Sequence, residues 1–506
     1  MPNDKIVAKT SLRSSFDTEH LKTDLKARSV LGGAAMMLGQ SAHLVIQTAS
    51  TIVMARLLTP VDFGLIAMVT AVTGFAALFK DLGLSMATVQ KAEINHEQIS
   101  TLFWINVAVS TTIALITAAV APAIAWFYGE PRLTLITVAL SLVFLLGGLT
   151  VQHQALLQRQ MRFTALAAIQ VISILAGVVA AIAAASMGAG YWALVIMQVV
   201  TAVFISSAVW LLCGWRPGRP VRRTDIKGML LFGANLTGFD TVNYFARNFD
   251  NILLGRFWGA SALGLYSRAY NIMMLPISQI RGPLNTVAIP ALTHLQNDPI
   301  RFKMYYIKLI TLIAFIAMPL MAFLFVCADQ VIYLLLGSQW LGAAAIFKIL
   351  CINAFIQPVS TTWGLVLVSL GQSKKYLTWG IINSIFISIS FILGLPWGAI
   401  GVAAAYTIVS YVLLAPTLWY CFRQTPIAIA DFFSAIFRPV IASIIMGFVI
   451  FTVRSYLSTA SEIVLLGCSF ISGFLTYLIV FILLPGGLLF LKELSSYRSS
   501  LFQKST

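Results

Sequence analysis

Apolar runs of about 20 residues, the length an α-helix needs to cross a bilayer, recur from residue 30 to residue 484 with short polar breaks between them. The pattern predicts fourteen membrane-spanning segments, centred on 30–56, 64–89, 101–127, 133–153, 164–187, 191–213, 228–256, 264–292, 305–327, 341–370, 376–395, 398–421, 438–457 and 462–484. An even number of crossings returns the chain to its starting side.

Several segments keep polar groups where lipid would reject them. On a helix advancing about 100° per residue, Asp240, Asn243, Arg247, Asp250 and Asn251 share one narrow face of segment seven. Segment one carries an uncharged version of that face 200 positions earlier, with Gln40, His43, Gln47 and Thr51 standing at Asp240, Asn243, Arg247 and Asn251. Segment two adds Lys80 and Asp81, segment eight adds Arg268, Asn271 and Arg281, and segment ten adds Lys348. A charge at the centre of a membrane helix costs about 2.5–3.5 kcal/mol on insertion scales, so such groups face a bundle interior or a watery cavity.

Five intramembrane cations (Lys80, Arg247, Arg268, Arg281, Lys348) stand against Asp81, Asp240 and Asp250. A cavity built from them is net positive and suits an anion such as phosphate or pyrophosphate. The bland alternative is local compensation, Lys80 with Asp81 and Arg247 with Asp250, whereas Arg268 and Arg281 have no acidic neighbour in sequence. If an ion drives transport, Asp240, Asp250 and Asp81 are the candidate switches, because desolvation raises a carboxyl pKa. His43 reads equally as a hydrogen-bonded structural histidine or a proton relay. Arg56 and Arg256 read as interface anchors that snorkel at helix ends.

The 200-residue offset extends beyond the stripes: Gly33 meets Gly233, Ala34 meets Ala234, Arg56 meets Arg256, Gly64 meets Gly264 and Leu65 meets Leu265 without a gap. Later in the chain MGAGYWALV resembles WGAIGVAAA, placing Gly188-Ala189 on Gly398-Ala399. The expected unit is therefore six segments, repeated once. Six is even, so both copies enter the membrane in the same direction and are related by an axis along its normal, with a cleft between them. Segments thirteen and fourteen fall outside the duplication and either flank the cleft or pack on one bundle.

Composition fixes the class. The chain has 506 residues, 59% hydrophobic and 10% charged, with a mean hydropathy of +0.90, far above what a water-soluble domain needs to pack one core. Its net charge of +16 is a topology signal, since 24 of the 33 Lys and Arg fall in breaks on the N-terminal side, four in the opposite breaks and five inside segments. Lys and Arg accumulate in cytoplasmic loops, so both termini are expected in the cytoplasm. No aromatic-and-basic module accompanies the charge, so nucleic acid is not an expected partner. Residues 1–29 are polar and no A-x-A-like site closes the first apolar run, which reads as an uncleaved helix.

The five cysteines (Cys213, Cys327, Cys351, Cys421, Cys468) are scattered without ligand spacing and read as packing residues. No G-x-x-x-x-G-K-[ST] loop and no His/Asp/Glu cluster of metal-ligand spacing occurs, so no nucleotide, metal or cofactor is expected. The outer loops hold about a dozen residues or fewer, which disfavours a membrane polysaccharide polymerase or ligase. A drug/cation antiporter would favour an acidic, aromatic-lined cavity, and a non-transporting scaffold would have no use for matched polar stripes.

The stretches ARLLTPVDFG, KDLGLSMATVQ, ALLQRQMRF, NFDNILLGRFWGASALGLYSRAY and IPALTHLQNDP together resemble the Wzx-type polysaccharide exporters of the multidrug/oligosaccharidyl-lipid/polysaccharide superfamily, over nearly the whole chain. The nearest flavour is the colanic-acid and exopolysaccharide branch. The resemblance implies a flippase of the bacterial inner membrane that moves undecaprenyl-pyrophosphate-linked oligosaccharide units by alternating access, for exopolysaccharide, capsule or O-antigen synthesis. It also implies membrane lipids as surroundings and polysaccharide polymerase and export machinery as partners. The expected organisation is a cytoplasmic segment 1–29, a first six-helix bundle 30–213 and a basic linker 214–227. A second six-helix bundle 228–422, two extra helices within 423–484 and a cytoplasmic tail 485–506 follow. The expected fold is thus all-α and polytopic, two pseudo-symmetric six-helix bundles around a central cleft plus two C-terminal helices.

Overall fold

The computed structural model describes residues 25–77, 79, 84–90, 94–221, 227–457 and 461–493, with the backbone alone at 25–30, 77, 87, 227–243, 245–247, 283 and 285. Among the described residues all regular structure is helical. The chain divides into two compact units, one ending at Gly264 and the other beginning at Leu265.

The first unit contains α1 (Leu25–Leu57), α2 (Pro60–Ala77), α3 (Leu84–Gln90), α4 (His96–Tyr128), α5 (Arg132–Gly148), α6 (Val151–Arg159), α7 (Phe163–Ser186) and α8 (Trp192–Cys213). The first half of the long α9 (Lys227–His294) completes it. The second half of α9 opens the other unit. It is followed there by α10 (Pro299–Val326), α11 (Ala328–Leu336), α12 (Gly342–Ser360) and α13 (Trp363–Ser369). Next come α14 (Ser373–Gly394), α15 (Gly398–Val412), α16 (Leu414–Phe422), α17 (Ile429–Tyr456) and α18 (Glu462–Leu483).

Among the described residues nine helical stretches are long and apolar enough to cross a bilayer, and one of them, Ser373–Phe422, is 50 residues that turn at 395–397 between α14 and α15. The chain is a polytopic membrane protein. α1 and α9, the helices that carry the two polar stripes, are not among those nine stretches of the described residues.

Local chemistry sets the helix ends. Asn95 and Gln98 form a reciprocal capping box at the start of α4, the Gln98 amide donating to Asn95 Oδ1 at 2.8 Å and the Asn95 amide to Gln98 Oε1 at 3.3 Å. Gly129, left-handed at φ +69°, ends the same helix. Inside the first unit α7 lies between α1 and α8, and α4 packs along α5. A Cβ on Gly148 would collide with Ser110, and one on Gly177 with Thr201, so these glycines let backbones approach closely where no hydrophobic force drives membrane helices together. In the second unit α17 packs on α10 and α18 on α17. Thr311 Oγ1 donates to the Ala435 carbonyl at 3.2 Å and the Tyr477 hydroxyl to the Phe315 carbonyl at 2.9 Å. The helices at segments thirteen and fourteen, α17 and α18, thus pack within the second unit.

Three breaks differ from the sequence reading. Segments seven and eight form one helical run interrupted only at Gly259, whose φ of +78° and ψ of −178° are open to glycine but not to a residue with a Cβ. Segment four continues past its break at 149–150 as α6, and segment ten is split at 361–362 into α12 and α13.

The offsets seen in the sequence recur as conformation. α6 ends with the Arg162 amide donating to Leu157 O at 2.9 Å, Met161 to Gln158 O and Gln160 to Leu156 O. α13 ends with Gln372 donating to Leu367 O at 2.8 Å, Gly371 to Val368 O and Leu370 to Val366 O, each 210 positions later. The residue that turns the chain has positive φ in both, Met161 at +54° and Gly371 at +71°, and the aligned Gly188 and Gly398 share positive φ at +80° and +68°.

Candidate functional site

The breaks sort by charge into the two ends of the first unit. At the basic end Arg159 donates to the Thr88 carbonyl at 3.1 Å and Arg162 to the Leu212 carbonyl at 2.8 Å. The chain after α8 is strapped along α4 there: Trp215 Nε1 donates to His96 Nδ1 at 3.1 Å, the Gly218 amide to Ser100 Oγ at 2.9 Å and the Val221 amide to Thr101 Oγ1 at 3.2 Å. Trp104 Nε1 donates to the Gly218 carbonyl at 2.8 Å. Acceptance from Trp215 fixes His96 with its proton on Nε2, the atom 3.4 Å from Ser100 Oγ.

The sparse breaks meet at the other end. Arg256 stacks over Phe127 at 5.7 Å and over Phe257 at 6.0 Å, which gives its expected interface anchorage an aromatic partner. Glu130 pairs with Arg132 through two bonds of 2.7 and 2.8 Å, and the side-chain bond from Arg132 holds its carboxyl below the ordinary range. A Cβ on Gly64 would strike the Ala260 carbonyl and one on Gly264 the Pro60 carbonyl. Those four residues are two pairs at the 200-residue offset, each glycine meeting the residue aligned with the other's neighbour. Glycine is needed at both because backbone meets backbone.

On α1, Gln40 and Gln47 are exposed and His43 is half-buried. On the first half of α9, Asp250 is 5% exposed and accepts from the Asn251 amide at 2.8 Å, while Asn251 is half-buried. Beside this stripe the Tyr244 hydroxyl donates to the Thr70 and Ala71 carbonyls of α2 at 2.8 and 3.0 Å, seated against Gly74. One edge of the face therefore packs on α2. The side chains of Asp240, Asn243 and Arg247, and all of Lys80 and Asp81, lie outside the described residues. In the second unit Arg268 and Arg281 are half-buried and Asn271 is exposed, all on the second half of α9.

Lys348 does not join them as a bare cation: its Nζ lies 2.7 Å from Asp329 Oδ2, and Arg454 NH2 is 4.0 Å from the same oxygen. The sequence reading missed this pairing because Asp329 falls in a break and stands 19 residues from its partner. It also missed His153, wholly buried and stacked on Trp210 at 4.4 Å between ring centroids, for which periodicity offers no signal. All five cysteines are free, four of them buried, as packing residues are. Among the described residues no group of three or more His, Cys, Asp or Glu could hold a metal ion.

Helix ends that sort by charge, polar stripes in two long helices and close glycine crossings define a polytopic α-helical protein built like known lipid and drug transporters. The fold matches the lipid II flippase MurJ in an inward closed conformation with a TM-score of 0.69 at 15% identity, covering 91% of this chain and all of that one. It matches an inward-facing multidrug resistance MATE family transporter at 0.57 and 17% identity, over 75% and 94% of the two chains. The chain belongs to the polysaccharide biosynthesis protein family, whose model matches residues 53–345. Every stretch that carried the resemblance to Wzx-type exporters lies inside that range. The chain is 28% identical to the teichuronic acid biosynthesis protein TuaB of Bacillus subtilis, over 81% of its own length and 86% of the relative's. It is 26% identical to the lipopolysaccharide biosynthesis protein WzxC of Escherichia coli, over 74% and 78%.

Proposed function

We propose that this protein is a flippase of the bacterial inner membrane that moves a polyprenyl-pyrophosphate-linked oligosaccharide unit outward by alternating access, for exopolysaccharide, capsule or O-antigen synthesis. The observation that carries the reading is the family membership over residues 53–345, joined to cations retained on an apolar helix at Arg247, Arg268 and Arg281. The pyrophosphate diester of such a lipid is a compact dianion for which guanidinium forks are the natural partners. The polar faces of Gln40, His43, Gln47, Asn243, Asn251 and Asn271 would serve the sugars, with Lys80 as a further anion contact.

The organisation that goes with it is fourteen crossings in two six-helix bundles, 30–213 and 228–422, joined by the basic linker 214–227. Residues 423–484 form two added helices, and 1–29 and 485–506 lie in the cytoplasm. The reciprocal Gly64 and Gly264 contacts and the matched turns at 161 and 371 support the duplication. A polysaccharide polymerase acting at the outer face would take over the product. Asp240, Asp250 and Asp81 are the coupling candidates, with ion pairing to Arg247 and Lys80 as the competing role.

The test is flipping of a fluorescent lipid-linked oligosaccharide in proteoliposomes. Transport by the parent and its loss in the combined Arg247→Ala, Arg268→Ala, Arg281→Ala variant at equal reconstitution is expected. Full flipping by the triple variant would remove the cations from the mechanism. Transport of cationic dyes without any of the glycolipid would point instead to drug extrusion.

A further inference from the structure

An apolar groove of about 460 Å³ runs along the second unit between α10, α12, α15 and α17. Its walls include Val326, Ile352, Phe355, Gly447, Phe448 and Phe451, and Phe448 and Phe451 are 70% and 61% exposed, so the groove faces the bilayer. Its volume lies within the roughly 300–1,000 Å³ of small-ligand sites.

Charge is gathered at one end of it. Lys348 precedes the groove residues Cys351, Ile352 and Phe355 by three, four and seven positions on α12, one helical face. Arg454 follows Phe451 by three and Gly447 by seven on α17, and donates to the carbonyl of Val326, itself a groove residue. Both cations share a single acid, Asp329 Oδ2, at 2.7 and 4.0 Å. The side chains of Lys348, Asp329 and Arg454 are 37%, 43% and 21% exposed. The cluster therefore carries one positive charge more than its carboxylate balances, within reach of a ligand. Arg454 is also one of only four basic residues in the otherwise charge-poor breaks, a placement that the topology rule leaves without a reason.

We infer that the groove and this cluster together form a binding site for an anionic phospholipid of the bilayer, one acyl chain along Val326, Ile352 and Phe448 and the phosphate on Lys348 and Arg454. The occupant must be apolar over the length of the groove and anionic at one end, and a phosphate diester with an uncharged headgroup has both properties. A zwitterionic lipid brings its own cation to a site already net positive, so it binds more weakly. This lipid is a resident of the second unit and is distinct from the glycolipid proposed as cargo.

The experiment is native mass spectrometry of the full purified chain with phosphatidylglycerol and, in parallel, phosphatidylcholine of the same chains. Phosphatidylglycerol should bind at least several-fold more tightly. Arg454→Gln, which leaves the Lys348 and Asp329 pair intact, should weaken it about ten-fold, the loss of one charge-assisted contact. Asp329→Asn should strengthen it, a change that misfolding does not imitate. Gly447→Leu should weaken it by filling the groove, because a Cβ there meets only Val326 at 3.7 Å and the helix is undisturbed. Equal binding of the two lipids, or no strengthening in Asp329→Asn, would overturn the site, as would soluble glycerol phosphate binding as tightly as the lipid. The readout is lipid retention, so it stands or falls apart from glycolipid flipping.

Discussion

At the scale of single residues, glycine and its substitutes give the sharpest expectations. Met161 holds a left-handed turn at φ +54° that Gly371 holds in the matching turn at +71°. A left-handed non-glycine residue costs about 1–2 kcal/mol relative to its ordinary conformation, partly offset by the greater freedom glycine loses on folding. Met161→Gly should therefore stabilise the protein by up to about 1 kcal/mol, read as a raised thermal midpoint in detergent, and Gly371→Met should lower it by a similar amount. Gly259 is more demanding, because φ +78° with ψ −178° belongs to a region that is essentially glycine's alone, at about 1–3 kcal/mol for other residues. Gly259→Val should lower the midpoint more than Gly371→Met does. Equal midpoints for the two variants would mean that the break is not fixed by residue 259.

Among elements, the strap from 214 to 221 is a set of hydrogen bonds with identifiable donors. Ser100 and Thr101 accept from the amides of Gly218 and Val221, and a hydrogen bond of this kind contributes about 0.5–1.5 kcal/mol net. Replacing Ser100 by Ala and Thr101 by Val together should speed hydrogen exchange at those two amides by roughly ten-fold or more, with exchange in α7 unchanged. A uniform rise across the first unit would show unfolding and not release of the strap. The same strap shows how the element scale was legible in part. Its Pro, Gly and Arg composition marks a linker in WRPGRPVRRTDIKG, yet its acceptors lie about 120 residues earlier in α4, beyond any local pattern.

For the whole molecule the expectations concern sidedness and charge balance. Within the first unit the basic breaks meet at one end through Arg159, Arg162 and the strap, and the charge-poor breaks meet at the other through Arg256 and Phe127. If the basic end is cytoplasmic, a cysteine placed at the exposed Ser261 should react with an impermeant maleimide in intact spheroplasts. Reaction only after permeabilisation would invert the map. Charge balance separates the two roles open to Asp240 and Asp250. If they only compensate Arg247, neutralising all three should restore folding and much of the flipping lost in the single acidic variants. If one carries a coupling ion, the neutral variant should insert stably and fail to respond to an imposed gradient.

The class, the apolar spans and the basic breaks are written in composition and periodicity, because a bilayer imposes one length and one polarity on every crossing. The spacing shared by residues 56–64 and 256–264 is likewise legible in the sequence. Partnership is a different matter. Asp329 meets Lys348 and Arg454, Tyr244 meets Gly74, and Gly64 meets Ala260 because helices distant in sequence are packed side by side. Periodicity fixes which face of a helix is polar or apolar, but the identity of the group across from that face depends on packing between helices, and that only the tertiary structure decides.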